Sequence, residues 1–293
     1  MLTRLVNVVR GGLGNQLFQH CFAMSLAKRS GAQLLTDISY FTSDPYNRKA
    51  VVCNVLDDVQ LVDSSTLSKC NVCILKDSDL RALDDFHRFP TDAEVVLLYG
   101  YWQREELLDS QVARAIYESI CESVQSRITS DLFERVAGCS DGVAVHIRRH
   151  DYAHMGVCSE SYYLASMRCL REKYPTAEVF VFSDEPNFAR HLLSAASMRA
   201  TLIQSGDDLV DFYVMSLCRH FVISNSTFSW WAAYFSESKG GEIICPEEWV
   251  TIGGVESPCP ARWSRIEGAV RSFQISSDEV AAMESRVRGK VSL

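Results

Sequence analysis

Short apolar runs alternate along this chain with longer stretches whose apolar residues recur at helical spacing. In the first half, Arg4–Arg10 reads as a strand, Asn15–Ser30 as a helix, Gln33–Thr36 as a second strand, Val95–Tyr99 as a buried strand and Glu105–Val124 as a long amphipathic helix. The second half continues with strand Gly142–Ile147, helix Ser161–Lys173 ended near Pro175, strand Glu178–Phe182 and helix Asn187–Ala195. Strand Ala200–Leu202, helix Leu209–Cys218, strand Phe221–Ile223, helix Thr227–Ser236 and strand Glu242–Cys245 follow. Such alternation predicts an α/β fold, parallel sheets joined by crossover helices. Residues 37–92, with scattered Asp, Ser and Asn, predict loops and short elements that shape one wall of a cleft. A small polar stretch at Gly138–Asp141 divides the pattern into two Rossmann-like, doubly wound domains, 1–140 and 141–293, facing a central cleft. The tail Ser276–Leu293 reads as a charged helix packing back across them.

The polar residues that interrupt this pattern cluster where strands end. Phe221-Val222-Ile223 runs into Ser224, Asn225, Ser226 and Thr227 and then into an aromatic helix with Trp230 and Trp231. Leu5–Arg10 runs into Gly11-Gly12-Leu13-Gly14-Asn15-Gln16, and Val143–Ile147 into Arg148-Arg149-His150-Asp151-Tyr152. A strand-to-helix turn aims free backbone N–H groups at one point, which suits an anion. Ligands of such sheets bind beyond the carboxyl ends of the strands. Three turns of this build predict a cleft for a phosphorylated ligand.

Composition narrows the ligand. The 293 residues carry a net charge of −8, which disfavours a nucleic-acid partner and confines any anion site to a local cluster on an acidic body. Eleven cysteines, odd in number and without framework spacing, read as reduced thiols, and Cys70-x-x-Cys73 lacks the second pair that zinc would need. No leader pattern and no apolar run near the roughly 18 residues of a membrane span occur, so the sequence predicts a cytoplasmic protein. Any membrane contact would be peripheral.

Each candidate has a plain structural reading beside the chemical one. Alternate residues of a strand face opposite ways, so one of Arg148 and Arg149 faces the cleft and the other pairs with an acid inside the domain. A guanidinium offers permanently charged, bidentate hydrogen bonds to phosphate. The glycine turn has Leu17 where a dinucleotide fingerprint needs its third glycine, and no Lys-Ser/Thr follows, so neither that fingerprint nor a P-loop applies. Its glycines permit positive φ and close backbone approach to a ligand, and Asn15 reads as a helix N-cap. Asn225-Ser226-Thr227 matches a glycosylation sequon, here a coincidence between a buried strand and a helix. Trp230 and Trp231 read as core rather than sugar-stacking rings. Asp77-Ser78-Asp79 is read as a cap or solvated turn, not a metal site. Asp184, after the Glu178–Phe182 strand, suits a ribose or guanine contact, and Tyr101, Trp102 and Gln103 suit a carbohydrate subsite of flat rings and an amide.

Taken together, Gly11-Gly12-Leu13-Gly14-Asn15-Gln16-Leu17-Phe18-Gln19, His146-Ile147-Arg148-Arg149-His150-Asp151-Tyr152 and Ser224-Asn225-Ser226-Thr227-Phe228-Ser229-Trp230-Trp231-Ala232-Ala233 closely resemble the alpha-1,2-fucosyltransferases of glycosyltransferase family eleven, bacterial branch. The resemblance implies a GT-B architecture, GDP-β-L-fucose as donor, O2 of a terminal β-galactoside as acceptor, inversion at the anomeric carbon, and neither metal nor cofactor. The acceptor glycan is free or carried on a lipid-linked surface-polysaccharide precursor. His146 and Arg148 would face GDP, with Arg148 on the β-phosphate. Gly12, Gly14, Asn15 and Gln16 would approach the same phosphate from the other domain, and Ser224–Thr227 would complete the cradle. Asp184 would meet the nucleoside, and Tyr101, Trp102 and Gln103 the acceptor; Asp151, a carboxylate held ionised beside the Arg pair, is the first candidate for general base, with another acid or a phosphate oxygen as the alternative. A fucosyltransferase of another linkage (alpha-1,6 or protein O-linked) and a non-catalytic nucleotide- or glycan-binding protein are the alternatives.

Overall fold

The computed structural model describes residues 4–80, 85–86, 92–128, 131–149, 156–251, 256–267 and 269–271. The predicted tail helix lies outside these. Two parallel sheets organise the chain. The first has the order β2-β1-β4-β3 and uses β1 (Arg4–Val8), β2 (Gln33–Asp37), β3 (Val72–Lys76) and β4 (Val95–Tyr99). The second has the order β11-β10-β9-β5-β7-β8 and uses β5 (Val143–Ile147), β7 (Val179–Ser183), β8 (Thr201–Ile203), β9 (His220–Val222), β10 (Ile243–Pro246) and β11 (Ser264–Ile266). A small antiparallel pair, β6 (Val157–Cys158) with β12 (Val270–Arg271), stands apart. Every residue of β5 is buried, as expected of a central parallel strand covered on both faces.

Helices α1 (Leu13–Ser30), α2 (Ser110–Gln125), α3 (Asp131–Ala137), α4 (Glu160–Lys173), α5 (Pro186–Ala195), α6 (Asp208–Leu217) and α7 (Thr227–Ser236) complete the layers. Their starts follow local chemistry. Asp109 accepts from the amides of Gln111 and Val112, Ser159 from Tyr162 and Asp207 from Leu209 and Val210, and Pro186 opens α5. The Asp109 cap explains why the predicted helix from Glu105 begins later. Glu105–Leu107 is instead a short 3-10 turn. Strand β3 falls inside the segment expected to be irregular. It is the sheet's edge and leaves Ile74 exposed, so its apolar pattern is weak.

The two sheets are joined through α1 and α7. Phe18 of α1 packs against the indoles of both Trp230 and Trp231, with ring centroids 4.7 and 4.8 Å away. Both tryptophans are buried, which is the core role expected of them. One apolar cluster runs from Leu13, Leu17 and Phe18 through Ile116 and Ile120 of α2 to Phe212 and Met215 of α6. Gly14 permits the closest approach: a β-carbon there would collide with the Thr227 carbonyl carbon and the Phe228 nitrogen. Outside this core, Arg262 spans the two parts by pairing with Glu105 at 2.6 Å and Glu237 at 2.9 Å. That cluster is partly exposed and adds little stability beside the buried interface. The eleven cysteines are free thiols, as composition implied.

Gly14→Ala is therefore expected to destabilise the protein by about 3 kcal/mol, the upper range for overpacking. That corresponds to a melting temperature lower by roughly 6–12 °C. Gly12→Ala is the control, because its added carbon meets nothing within 4 Å. Equal melting of the two variants would refute this account of the α1–α7 contact.

Candidate active site

The three turns singled out in the sequence meet at a single cavity of about 410 Å³ at the carboxyl ends of the strands. Gly12, Gly14, Asn15 and Gln16 line it from the first sheet, and His146, Arg148, Asp184, Ser226 and Thr227 from the second. The turn geometry explains the convergence. Gly11 adopts φ +83°, a left-handed conformation that favours glycine, and so redirects the chain from β1 into α1. On the opposite wall Ser226 is extended and hands over to α7, whose first-turn amides have no intrahelical partner and face the cavity with the positive end of the helix dipole.

Arg148 and Arg149 divide as strand geometry demands. Arg148 lines the cavity and pairs through Nε with Asp184 at 3.3 Å. Arg149 turns inward, pairs with Glu185 at 2.8 Å and stacks over Phe188. Asp184 also accepts the Arg149 backbone N–H at 3.1 Å, so this carboxylate orients the cationic strand end besides facing the cavity. His146 is buried, shares a 2.8 Å hydrogen bond between Nδ1 and the Ser224 hydroxyl, and stacks against Phe228. Burial first, and the Arg148 charge second, lower its pKa to about 3, so the ring is neutral at ordinary pH.

Several expected ligand contacts are engaged elsewhere. Asn225 is fully buried, and its amide donates to the carbonyls of Gly156 and Trp249 at 2.9 Å each. It therefore anchors the turn from behind. Ser224 is also buried and reaches the cavity only through His146. Gln16 donates to the carbonyls of Gly11 and Lys49 and accepts from the Val52 amide, which leaves it no N–H to donate to an anion. Asn15 is not the N-cap of α1; that position is Gly12. Its Oδ1 instead accepts from Thr227 across the domains and from Gln103, both at 2.9 Å. Gly14 turns its bare face to α7, so helix packing rather than ligand approach requires the glycine.

The expected acceptor trio separates in the same way. Trp102 is buried with its ring stacked on Phe22 at 4.1 Å and its backbone at φ +57°, a strained value for a bulky residue. It is core. Tyr101 and Gln103 are both half-exposed, and Gln103 donates its amide to Asn15. The carboxylate of Asp77 holds this turn by accepting from the Tyr101 and Trp102 amides, and Asp79 accepts from the Lys76 amide. Both acids of the D-x-D pattern are thus structural. Asp151, the expected base, lies outside the described residues.

Other cavity residues were not anticipated. Asn47, Arg48 and Lys49 form part of one wall, placed there by the Gln16 tether. The basic pair Arg48-Lys49 in an otherwise acidic stretch was the available signal. Asp208, in the first turn of α6, lines the opposite side, and burial raises its pKa against the opposing pull of Arg148. Like the three recognised turns it follows a strand, β8, by a few residues.

Comparison with known proteins agrees with this architecture. The sequence profile of Glycosyl transferase family 11 matches residues 73–250. An alpha-1,2-colitosyltransferase of Escherichia coli is 30% identical over 291 residues, covering 88% of this chain and 97% of that protein. A galactoside alpha-(1,2)-fucosyltransferase 2 of Sus scrofa is 29% identical over 170 residues, 52% of this chain and 48% of the relative. The crystal structure of fucosyltransferase NodZ from Bradyrhizobium superposes with a TM-score of 0.52 at 15% identity, covering 79% of this chain and 92% of that one. It shares the two-domain GT-B fold. Among the described residues no helix is long and apolar enough to cross a membrane.

The neutral buried His146 generates a pH prediction. Its folded-state pKa lies below the unfolded value of 6.5, so the unfolded chain binds the proton more readily, and stability falls as pH drops from 6.5 towards 3. His20, lowered to about 4 by burial, acts in the same direction. Urea midpoints at pH 7.5 and 5.0 should therefore differ more in the wild type than in His146→Gln. An equal loss in both would show that His146 contributes nothing to acid sensitivity.

Proposed function

The chain belongs to glycosyl transferase family 11, and from that membership we propose that it transfers L-fucose from GDP-β-L-fucose to O2 of a terminal β-galactoside, with inversion and without a metal. The observation that carries this reading is the convergence of Arg148, Ser226 and the unpaired first-turn amides of α7 on one cavity. Together they form a receiver for a departing diphosphate.

The displacement is in line. The acceptor oxygen attacks C1 of fucose as the bond from C1 to the β-phosphate oxygen breaks, and the electron pair leaves with GDP. Positive charge spreads over C1 and the ring oxygen, as in glycoside hydrolysis. Negative charge grows on the phosphate, where the Arg148 guanidinium and the α7 amides meet it without reorganising. His146, held neutral by burial and oriented by Ser224, offers a hydrogen-bonding ring nitrogen without a second full charge. Asp184 fixes the Arg148 guanidinium and faces the nucleoside. Because Asp77 and Asp79 are occupied by backbone amides, leaving-group charge falls to these protein groups, and EDTA is expected to leave turnover intact.

Asp151, three residues beyond Arg148, is proposed to accept the hydroxyl proton late in the step. Asp208 is the competing candidate, since it faces the cavity and its pKa is raised towards the range useful to a base. A second donor also has specific support. The relative that is 30% identical is a colitosyltransferase, and colitose is fucose without its 3-hydroxyl, so GDP-colitose fits the same mechanism.

Arg148→Ala is expected to weaken GDP binding and to lower turnover roughly a hundred- to thousand-fold, the usual loss for one preorganised donor. Asp151→Asn should keep GDP affinity and lose turnover, whereas normal turnover would shift the base role to Asp208, tested by Asp208→Asn. Linkage analysis of products formed from GDP-fucose and GDP-colitose on a β-galactoside panel tests donor and bond together. No transfer from either donor would overturn the proposal.

A further inference from the structure

Beside the cavity, on the first sheet, stands a cation with no role in the chemistry above. Arg10 lies just beyond the end of β1, two residues before Gly12 of the cavity wall. Its guanidinium is held between two aromatic rings, 4.3 Å from the centroid of Tyr99 and 4.5 Å from that of Tyr101. Strands β1 and β4 are neighbours, with Asn7 opposite Leu98, so their carboxyl ends present Arg10 and Tyr99 side by side.

Buried groups brace this sandwich. Gln19, fully buried, accepts from the Arg10 backbone N–H at 3.0 Å and donates to the Gly100 carbonyl at 3.1 Å, which locks the two strand ends together. Asp77 fixes the backbone of Tyr101 and of the strained Trp102. Among the described residues no carboxylate pairs with Arg10, and its buried Nε has no hydrogen-bond partner. Asp77 is committed to the Tyr101 and Trp102 amides, and Asp44 accepts the Arg48 backbone N–H and pairs with the Arg48 guanidinium at 3.8 Å. Tyr99, 46% exposed, leaves a flat ring open to solvent next to the cation.

A guanidinium whose two faces are covered by rings keeps its donor edge in a fixed plane, and that edge matches the two oxygens of a carboxylate. Exposed tyrosine faces suit the apolar faces of sugar rings. Resting on the transferase reading above, we propose that Arg10, Tyr99 and Tyr101 form an acceptor-side subsite that recognises the carboxylate of an acidic sugar, a hexuronate, within the acceptor glycan. The subsite makes the enzyme selective for acidic acceptors while the phosphate chemistry stays on the other wall.

The test pairs two acceptors that differ only in charge, a β-galactosyl hexuronate and the matching β-galactosyl hexose, with a β-galactosyl hexose phosphate as a third arm. The wild type should prefer the hexuronate at least tenfold in kcat/KM, mainly through KM, and the ratio should fall towards one in Arg10→Gln. Arg10→Lys, which keeps charge but not the planar fork, should give an intermediate ratio. Absence of a preference in the wild type, or its survival in Arg10→Gln, would overturn the subsite. A stronger preference for the phosphate arm would overturn the carboxylate assignment. Titration of methyl β-D-glucuronide and methyl β-D-glucoside by NMR, with GDP present, reads the same selectivity without turnover. Uronide binding lost in Arg10→Gln but accompanied by no sugar transfer at all would leave the subsite standing and bring down the function instead.

Discussion

Everything in this molecule depends on the seam between α1 and α7. Phe18 sits against Trp230 and Trp231, Gly14 lets the two backbones touch, and Asn15 accepts from Thr227 at the cavity wall. The seam is apolar where it is deep and hydrogen-bonded where it nears the cleft. Hydrophobic burial thus supplies the energy, and a few directional contacts set the register. The cavity is what remains between the two helix starts once they are welded.

Electrostatics follow from that weld. An acidic chain concentrates Arg148, Arg48 and Lys49 around one hollow together with the positive end of α7. Carboxylates there serve mainly to aim cations. Asp184 orients Arg148, while Glu185 draws Arg149 out of the way. Burial keeps His146 neutral beside the Arg148 charge. Local placement, rather than overall charge, gives this hollow its cationic lining.

The sequence displayed the strand ends with unusual clarity because each couples an apolar run to a cluster of turn residues. Helix Thr227–Ser236 has the expected bounds, and the alternation of strand and helix was enough to reveal two parallel sheets. Side-chain allegiance was harder to see. Gln16, Asn225 and Gln103 are amides at turns, and nothing local distinguishes an amide awaiting a ligand from one captured by a carbonyl 33, 69 or 88 residues away. Trp102 looked like a sugar platform beside Tyr101 and Gln103 until Phe22 of another element claimed its ring. The 47–49 wall was hidden for a related reason: its conformation is imposed by Gln16 rather than by its own residues. Long-range capture decided these cases, and a linear reading cannot weigh it.

Sharing one core between the two halves has a consequence for traffic. Halves that meet on a thin polar strip can swing apart like a clam, but here such a swing would expose three aromatic rings and break the bond from Thr227 to Asn15. The cost of wetting those rings makes wide gaping a rare excursion. Cargo therefore enters and leaves a standing doorway.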